Sequence, residues 1–403
     1  MAETRRRSVL VLGSLPPPMH GSSLMTMEVR RTLERHDGFA VTVVRLGRPK
    51  SAAEVAKWSL RSVRFDGRVL AQLAGWLRQR RRWDIAYLAV SQYGPAFVRD
   101  LIVWELALRL ADRTIVHVHG GALGDRFRGP LAPAARYLGR RTELWALSPQ
   151  LVPGLRHAFG ERASIAVVRN ATFCGCDAGR SARVPTVTRI GYLGQVNAEK
   201  GVDVLLEAVT ELAGDRALKA ALASKGRQVV LEVVGAPVTP AFDAQVTGAC
   251  VRIDALGDGL VKAVRLGPVV QAAARCALLR RWDLAVLVSR YRPEGQPLAL
   301  IEAAAHGCAL MANDYRALTD IAVDPATAWI VPGGAHANAA DTAATLRAAV
   351  LQPDDIAARG AGAARLASAR FGRTQFELRI LELLEAGPSG AAVVTRDRSW
   401  RPP

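Results

Sequence analysis

The stretch RPEGQPLALIEAAAHG (292–307) raises the question on which the reading of this chain turns. Apart from its leading arginine and a histidine, it carries two charges, Glu294 and Glu302, set in a run of Pro, Leu, Ala and Ile. Pro297 suits the first position of a helix, where a missing N–H leaves no hydrogen bond unmade. Leu298, Ile301 and Ala305 then share one face, and Gly307 suits a helix stop. Glu302 is therefore expected inside a short apolar helix, with Glu294 in the turn before it. A carboxylate in such a place must be solvated or paired, because burying it bare is costly. Nothing basic lies near it along the helix, so its partner has to come from elsewhere in the chain.

Outward from that helix the pattern alternates strand and helix. In the second half, strands are expected at 189–195, 229–236, 260–269, 283–289 and 308–315, with helices at 200–213 and 270–282. In the first half, strands are expected at 8–14, 39–47, 84–91, 114–121, 143–148 and 164–170. Helices are expected at 24–36, 52–82 and 96–111. The strand segments are near-continuous apolar runs, as parallel strands buried on both faces require. The fold class is α/β, as two tandem Rossmann-like doubly wound domains with an interdomain cleft. The segment 171–188 is small, polar and proline-containing and reads as a linker. This divides the chain into domains at 1–182 and 183–373, followed by a helix at 374–387 and a disordered tail at 388–403.

Composition narrows the function. The 403 residues carry a net charge of +18. Residues 1–182 hold 29 Lys and Arg against 14 Asp and Glu, so the excess sits in the first half. Such a balance suits an anionic partner: a membrane surface, a nucleic acid or a phosphorylated substrate. It also suits plain arginine-rich composition. Nucleic acid is disfavoured, because there is no aromatic-rich binding motif, no zinc pattern and no basic recognition helix beyond 78–82. The five cysteines (Cys174, Cys176, Cys250, Cys276 and Cys308) are few and odd in number, which points to a reducing, cytoplasmic setting without a disulfide framework. The opening MAETRRRSVLVLGSLPPP imitates a secretion signal, but its apolar part is short and runs into three prolines. It reads as a first strand.

Three further segments carry chemistry. PPPMHGSS (16–23) joins the first strand to the first helix, where Gly21 lets a ligand approach and free N–H groups favour an anion. The plain alternative is a turn with a serine cap. The prolines take the place of a dinucleotide fingerprint, which argues against an oxidoreductase. In VHVHGG (116–121), His117 and His119 share a strand face. No third ligand accompanies them, so metal is not expected. His119, followed by two glycines, suits a ligand site; His117 suits packed core. In GYLGQVNAEKGVDVLLEA (191–208), Lys200 and Gly201 stand where a helix begins, and the lysine suits a phosphate. A solvated surface lysine is the plain alternative, and GxxxxGK[ST] is absent.

Taken together, these pieces resemble the nucleotide-sugar glycosyltransferases of the GT-B fold, family 4 type (glycosyl transferases group 1). PPPMHGSS, VHVHGG, VVRNA (167–171), the Lys-Gly helix and the Glu-x7-Glu pair occur in that family's order. The resemblance implies retaining transfer from a nucleotide-diphosphate sugar, with uracil or guanine as the base, and neither cofactor nor metal. It implies catalytic roles for His119, Glu294 and Lys200. It also implies donor binding by Gly21, Gly194, Gln195, Lys200, Glu294, Gly295, Gln296, Pro297, Leu298 and Glu302. Acceptor binding falls to His20, Gly21 and Ser22. In the family the first glutamate meets the sugar hydroxyls and the second meets the ribose. An ionised carboxylate, acceptor-only with two oxygens, suits both tasks.

Gln195 departs from the family, which often has Arg there; Arg290 and Arg292 are the candidates to compensate. The basic, apolar stretch 64–83 suits an anionic bilayer carrying a lipid-linked acceptor. The implied setting is cytoplasmic, at the inner face of the cell membrane, in bacterial surface polysaccharide or glycolipid synthesis. A nucleotide-sugar epimerase shares the fold, but the Glu-x7-Glu pair points away from it. A catalytically silent relative that only binds sugar nucleotide remains the alternative.

Overall fold

The structure, a computed structural model, describes residues 5–17, 19–48, 60–127, 129–173 and 186–386. The chain forms two compact units. One runs to Asn170 and takes back the chain from Thr374; the other spans Ala171 to Arg373.

In the first unit the elements run β1 (Arg7–Gly13), α1 (Gly21–Arg35), β2 (Phe39–Arg45), α2 (Leu60–Arg78), β3 (Trp83–Ala89) and α3 (Gly94–Leu110). There follow β4 (Ala111–Val118), α4 (Leu123–Arg126), α5 (Ala132–Gly139), β5 (Glu143–Ala146), α6 (Val152–Phe159) and β6 (Ser164–Val167). The six strands form one sheet in the order β2-β1-β3-β4-β5-β6, every described pair parallel. Val9 to Leu12 are fully buried, as is Ile85, with which Val9 is in register, because helical crossovers cover a parallel sheet.

In the second unit the order is β7 (Val187–Leu193), α7 (Val202–Gly214), α8 (Arg216–Ser224), β8 (Gln228–Val234), α9 (Pro240–Leu256), β9 (Val261–Leu266) and α10 (Ala272–Arg281). Then come β10 (Leu284–Leu287), α11 (Leu298–Ala305), β11 (Ala309–Asn313), β12 (Ala328–Val331), α12 (Ala339–Val350) and α13 (Pro353–Arg370). Its sheet is again six-stranded and parallel, in the order β12-β11-β10-β7-β8-β9. In both sheets chain order is broken at the interior strands, the arrangement that gathers loops at the C-terminal strand ends.

The last helix, α14 (Arg373–Glu385), begins where the second unit ends and is gripped by the first. Arg7 and Arg113 donate to its last carbonyls: Arg7 Nη1 to Leu384 O at 2.7 Å, Arg113 Nη2 to Leu383 O at 2.7 Å. A guanidinium at a helix C-terminus satisfies orphan acceptors and opposes the negative end of the dipole. Arg113 is itself paired with Glu143, at 2.5 Å and buried, while Trp145 Nε1 donates to the same carboxylate at 2.6 Å.

The expected segment 171–188 divides. Thr172 N–H bonds Phe371 O at 2.8 Å, so this end packs with the second unit, and β7 already starts at Val187. The rest of that segment lies outside the described residues, as do the 182/183 boundary, the tail at 388–403 and the first part of the 52–82 helix. One chemical expectation needs correction: Cys276 is disulfide-bonded, whereas Cys250 and Cys308 are free. Cysteine spacing along a chain does not limit pairing, which needs only proximity in space.

Candidate functional site

The second unit brings Lys200 and Glu294 together. Asn197 Oδ1 caps a single tight turn, Ala198–Lys200, by accepting from Lys200 N–H at 2.7 Å. Gly201 then reverses the chain into α7 with φ +73°, and a Cβ there would stand 1.7 Å from Val288 O. Only glycine allows that φ and that approach at once. The turn is braced by Arg290, whose Nη2 donates to Ala198 O at 2.7 Å and to both Asp203 oxygens at 2.8 and 2.7 Å. Lys200 Nζ consequently lies 2.8 and 2.7 Å from the two oxygens of Glu294, and over the Tyr291 ring at 4.6 Å.

Glu294 is buried and has a second side-chain partner, the fully buried Ser289, whose hydroxyl donates to Oε2. Ser289 is held in turn by Asn313, whose Nδ2 donates to Ser289 O at 2.8 Å and to Gly334 O at 2.6 Å. The Tyr192 phenol lies nearby and donates to Gln195 O at 2.7 Å. Burial, and then the Glu294 charge, push its pKa well up, so it stays a neutral donor.

Pro297 is the cap of α11 rather than its first residue: ψ is 119°, extended, and the helix opens at Leu298. The first helical hydrogen bond to Pro297 O comes from Leu300 N–H, at 3.1 Å. The Leu298 and Ala299 N–H groups therefore precede the intrahelical ladder, as at any helix start, and suit an anion. Gly295 and Gln296 are buried, and Gln296 Nε2 donates to Asp320 Oδ2 at 2.6 Å, which fixes the loop ahead of the helix.

The partner of Glu302 is Arg275, from α10, with Nε 3.0 Å from Oε2. That nitrogen makes no hydrogen bond of good geometry, so the contact is an ion pair and leaves carboxylate lone pairs open. Burial raises the Glu302 pKa and Arg275 opposes the rise. Sequence reasoning missed Arg275 because it stands on a different helix.

The two arginines named beside Gln195 stand in different settings. Arg290 is spent on Asp203 and the Lys200 turn, and Arg292 is exposed. Gln195 itself is exposed, with its amide oxygen accepting from Asn197 at 3.3 Å. Gly194 runs alongside Gly235, where φ is +145° and a Cβ would meet Gly194 O at 1.7 Å, so two backbones touch there. A cavity of about 360 Å3 is lined by Arg290 together with Asp203, Glu207, His336 and Asn338. Of the residues named from sequence, Arg290 lines it.

In the first unit His117 is core. Its Nδ1 lies 2.8 Å from Tyr87 Oη and its ring stacks edge-on with Trp145. Burial lowers its pKa to about 3. His119 follows β4, with its ring centroid 4.1 Å from that of His117. Neither of its ring nitrogens has a protein partner among the described residues. Burial, then His117 and His20, hold it well below the ordinary pKa, so it is a neutral imidazole able to donate from one nitrogen and accept at the other. His20, not a serine, caps α1: its Nδ1 accepts from Ser23 N–H at 3.2 Å, and Ser23 Oγ accepts from His20 N–H at 3.1 Å. Gly21 opens the helix and is exposed, while Ser22 O accepts from Thr26 at 2.9 Å.

Two parallel six-stranded α/β units make up the GT-B fold, and comparison with solved structures agrees. The sucrose-phosphate synthase of Thermosynechococcus elongatus superposes with a TM-score of 0.70 at 13% identity, covering 96% of this chain and 100% of that one. Anabaena HepE, solved with UDP-glucose, gives 0.64 at 17% identity, over 94% and 100%. The lipopolysaccharide outer core galactosyltransferase WaaB gives 0.63 at 12%, over 94% and 99%. Residues 187–349, from β7 to the end of α12, match the family model described as glycosyl transferases group 1. That match lies within the second unit and includes both glutamates of the Glu-x7-Glu pair, and the solved structures share the GT-B fold. No curated protein matches the chain.

Proposed function

We propose that the protein is a retaining, metal-independent glycosyltransferase that takes its sugar from a UDP- or GDP-sugar. The observation that carries this reading is the Lys200–Glu294 pair three residues ahead of the α11 cap, inside the part of the chain that matches the family. In this reading Glu294 accepts from sugar hydroxyls and Glu302 from the ribose. The Leu298 and Ala299 N–H groups and Lys200 take the diphosphate, where charge builds as it leaves. Neutral His119 donates a hydrogen bond at the donor sugar and phosphate, and His20, Gly21 and Ser22 face the acceptor. The C1–phosphate oxygen bond breaks, and the acceptor oxygen bonds C1 on the same face. Its hydroxyl proton passes to the leaving phosphate, so no protein nucleophile is needed. The work of the protein is then positioning and charge stabilisation.

The acceptor in this reading is a glycan or lipid-linked acceptor of bacterial surface polysaccharide or glycolipid synthesis, met at the inner membrane face. The first unit supports it. Helix α2 buries only Val69 and Leu73, and it exposes Leu60 (78%) and Val63 (46%) beside Arg61, Arg64 and Arg68. On α3, against which α2 packs, Val98 (59%) and Ile102 (48%) are exposed as well. Arginines around exposed apolar side chains suit an anionic interface. No helix among the described residues is long and apolar enough to cross a membrane.

Calorimetry with UDP, GDP, ADP and their sugars, with and without magnesium, tests the donor reading. Binding of one nucleoside diphosphate without metal, lost in Glu302→Ala, is expected. No binding by any nucleotide would sink it. Flotation with anionic liposomes tests the membrane contact, and a protein that stays at the bottom of the gradient refutes it. A silent sugar-nucleotide binder is the second reading, favoured by the uncharged Gln195; turnover with any acceptor dismisses it.

A further inference from the structure

Lys200 carries two assignments that conflict. The donor site needs it on a diphosphate, yet in this structure both oxygens of Glu294 already hold it. Glu294 is 4% exposed, and Ser289 is its other side-chain partner. Arg290, which braces the same turn, is bound to Asp203, and position 195 offers no charge. A diphosphate that draws Lys200 away therefore strands a buried carboxylate, which is costly unless new donors reach it. The hydroxyls of the donor sugar are such donors; a nucleoside diphosphate alone has none to offer there.

We infer that Lys200 exchanges between Glu294 and the donor diphosphate, and that this exchange ties affinity for the diphosphate to the presence of the sugar. Ser289 is the positioning residue that keeps Glu294 in place while Lys200 is away. Before binding, Lys200 and Glu294 neutralise each other. With the intact donor, Lys200 moves to the phosphates and Glu294 turns its freed lone pairs to the sugar hydroxyls. After transfer the sugar is gone, Glu294 reclaims Lys200, and the product diphosphate loses its cation. Product release is then built into the same pair of side chains that binds the substrate. No covalent bond is made or broken in the exchange.

The inference rests on the donor reading above, and its test separates the two. Calorimetry would compare UDP with UDP-glucose, and GDP with GDP-mannose, for wild type, Glu294→Gln and Ser289→Ala. In Glu294→Gln the neutral amide no longer competes for Lys200. The bare diphosphate should bind about tenfold tighter than to wild type, and the advantage of the sugar nucleotide over it should shrink. Ser289→Ala keeps the carboxylate, so it should leave diphosphate affinity within about twofold. It should weaken the sugar nucleotide by about tenfold, raising KM more than it lowers kcat. Wild type that binds none of the four ligands overturns the donor reading and this inference together. Wild type that binds, with Glu294→Gln holding the diphosphate no tighter, overturns the exchange alone. A Glu294→Gln protein that does not fold leaves Ser289→Ala to decide: equal weakening of diphosphate and sugar nucleotide there refutes it.

Discussion

Lys200 Nζ lies 2.8 and 2.7 Å from the two carboxylate oxygens of Glu294, although 94 residues separate them. The contact joins the turn after β7 to the loop after β10, strands that are neighbours in the sheet. Parallel pairing brings the C-terminal ends of such strands side by side, so a lysine leaving one meets a carboxylate leaving the other.

Removing one partner of this pair should cost more than removing the pair. Lys200→Ala leaves Glu294 buried with Ser289 as its remaining side-chain donor. Because the lysine is 18% exposed, the loss should be about 2 kcal/mol, below that of a fully buried pair. Urea denaturation of Lys200→Ala, Glu294→Gln and the double variant measures it. A double variant that is less stable than Lys200→Ala alone would refute the stranded-charge argument.

Gly201→Ala should be among the most damaging small substitutions in the second unit. Its φ of +73° disfavours any Cβ, and the new methyl would enter the Val288 carbonyl at 1.7 Å. A loss of about 2–4 kcal/mol is expected, with donor affinity falling alongside because the Lys200 turn must shift. Wild-type denaturation and binding in this variant would show that the turn does not depend on glycine.

His117 gives stability a pH dependence of known sign. Its folded pKa is lowered to about 3, against 6.5 in the unfolded chain. Between these values the unfolded state binds more protons, so stability rises with pH across the window and is lost as pH falls below 6.5. From pH 6.5 to 5 the loss should be about 2 kcal/mol from this residue. His119 acts in the same direction. Urea midpoints at pH 5 and 7 should differ less in His117→Gln than in wild type; an unchanged difference would clear His117 of the effect.

The grip on α14 rests mainly on Arg113. It is 8% exposed, paired with Glu143, and bonded to two terminal carbonyls of the helix. Arg113→Ala should cost about 3–5 kcal/mol, since it strands a buried carboxylate. Arg7→Ala removes a more exposed contact to Leu384 and should cost about 1 kcal/mol. Thermal denaturation followed by hydrogen exchange in α14 would rank them, and equal effects would mean that the Glu143 pair contributes nothing.

Much of this was legible along the chain. Apolar runs such as VLVLG (9–13) and LAVL (284–287) announce parallel strands, because burial on both faces leaves no polar alternation to misread. Observed strand ends differ from the expected ones by a few residues, since hydrophobicity marks burial and not the last ladder hydrogen bond. Helices α12 and α13 are less legible: they are rich in alanine, so their buried stripes contrast little with their outer faces.

The sequence by itself determined which residues are candidates for the proposed chemistry: Lys200 beside Gly201, the glutamates at 294 and 302, and His119 rather than His117. Residue type, spacing and neighbours are local properties, and these choices needed nothing more. Only the tertiary structure decided which charge each one meets. It set Lys200 on Glu294, Arg275 on Glu302 and Arg290 on Asp203. All three pairs join residues on different connections of the sheet. A Coulombic contact depends on distance in space, which strand order sets and linear spacing does not encode.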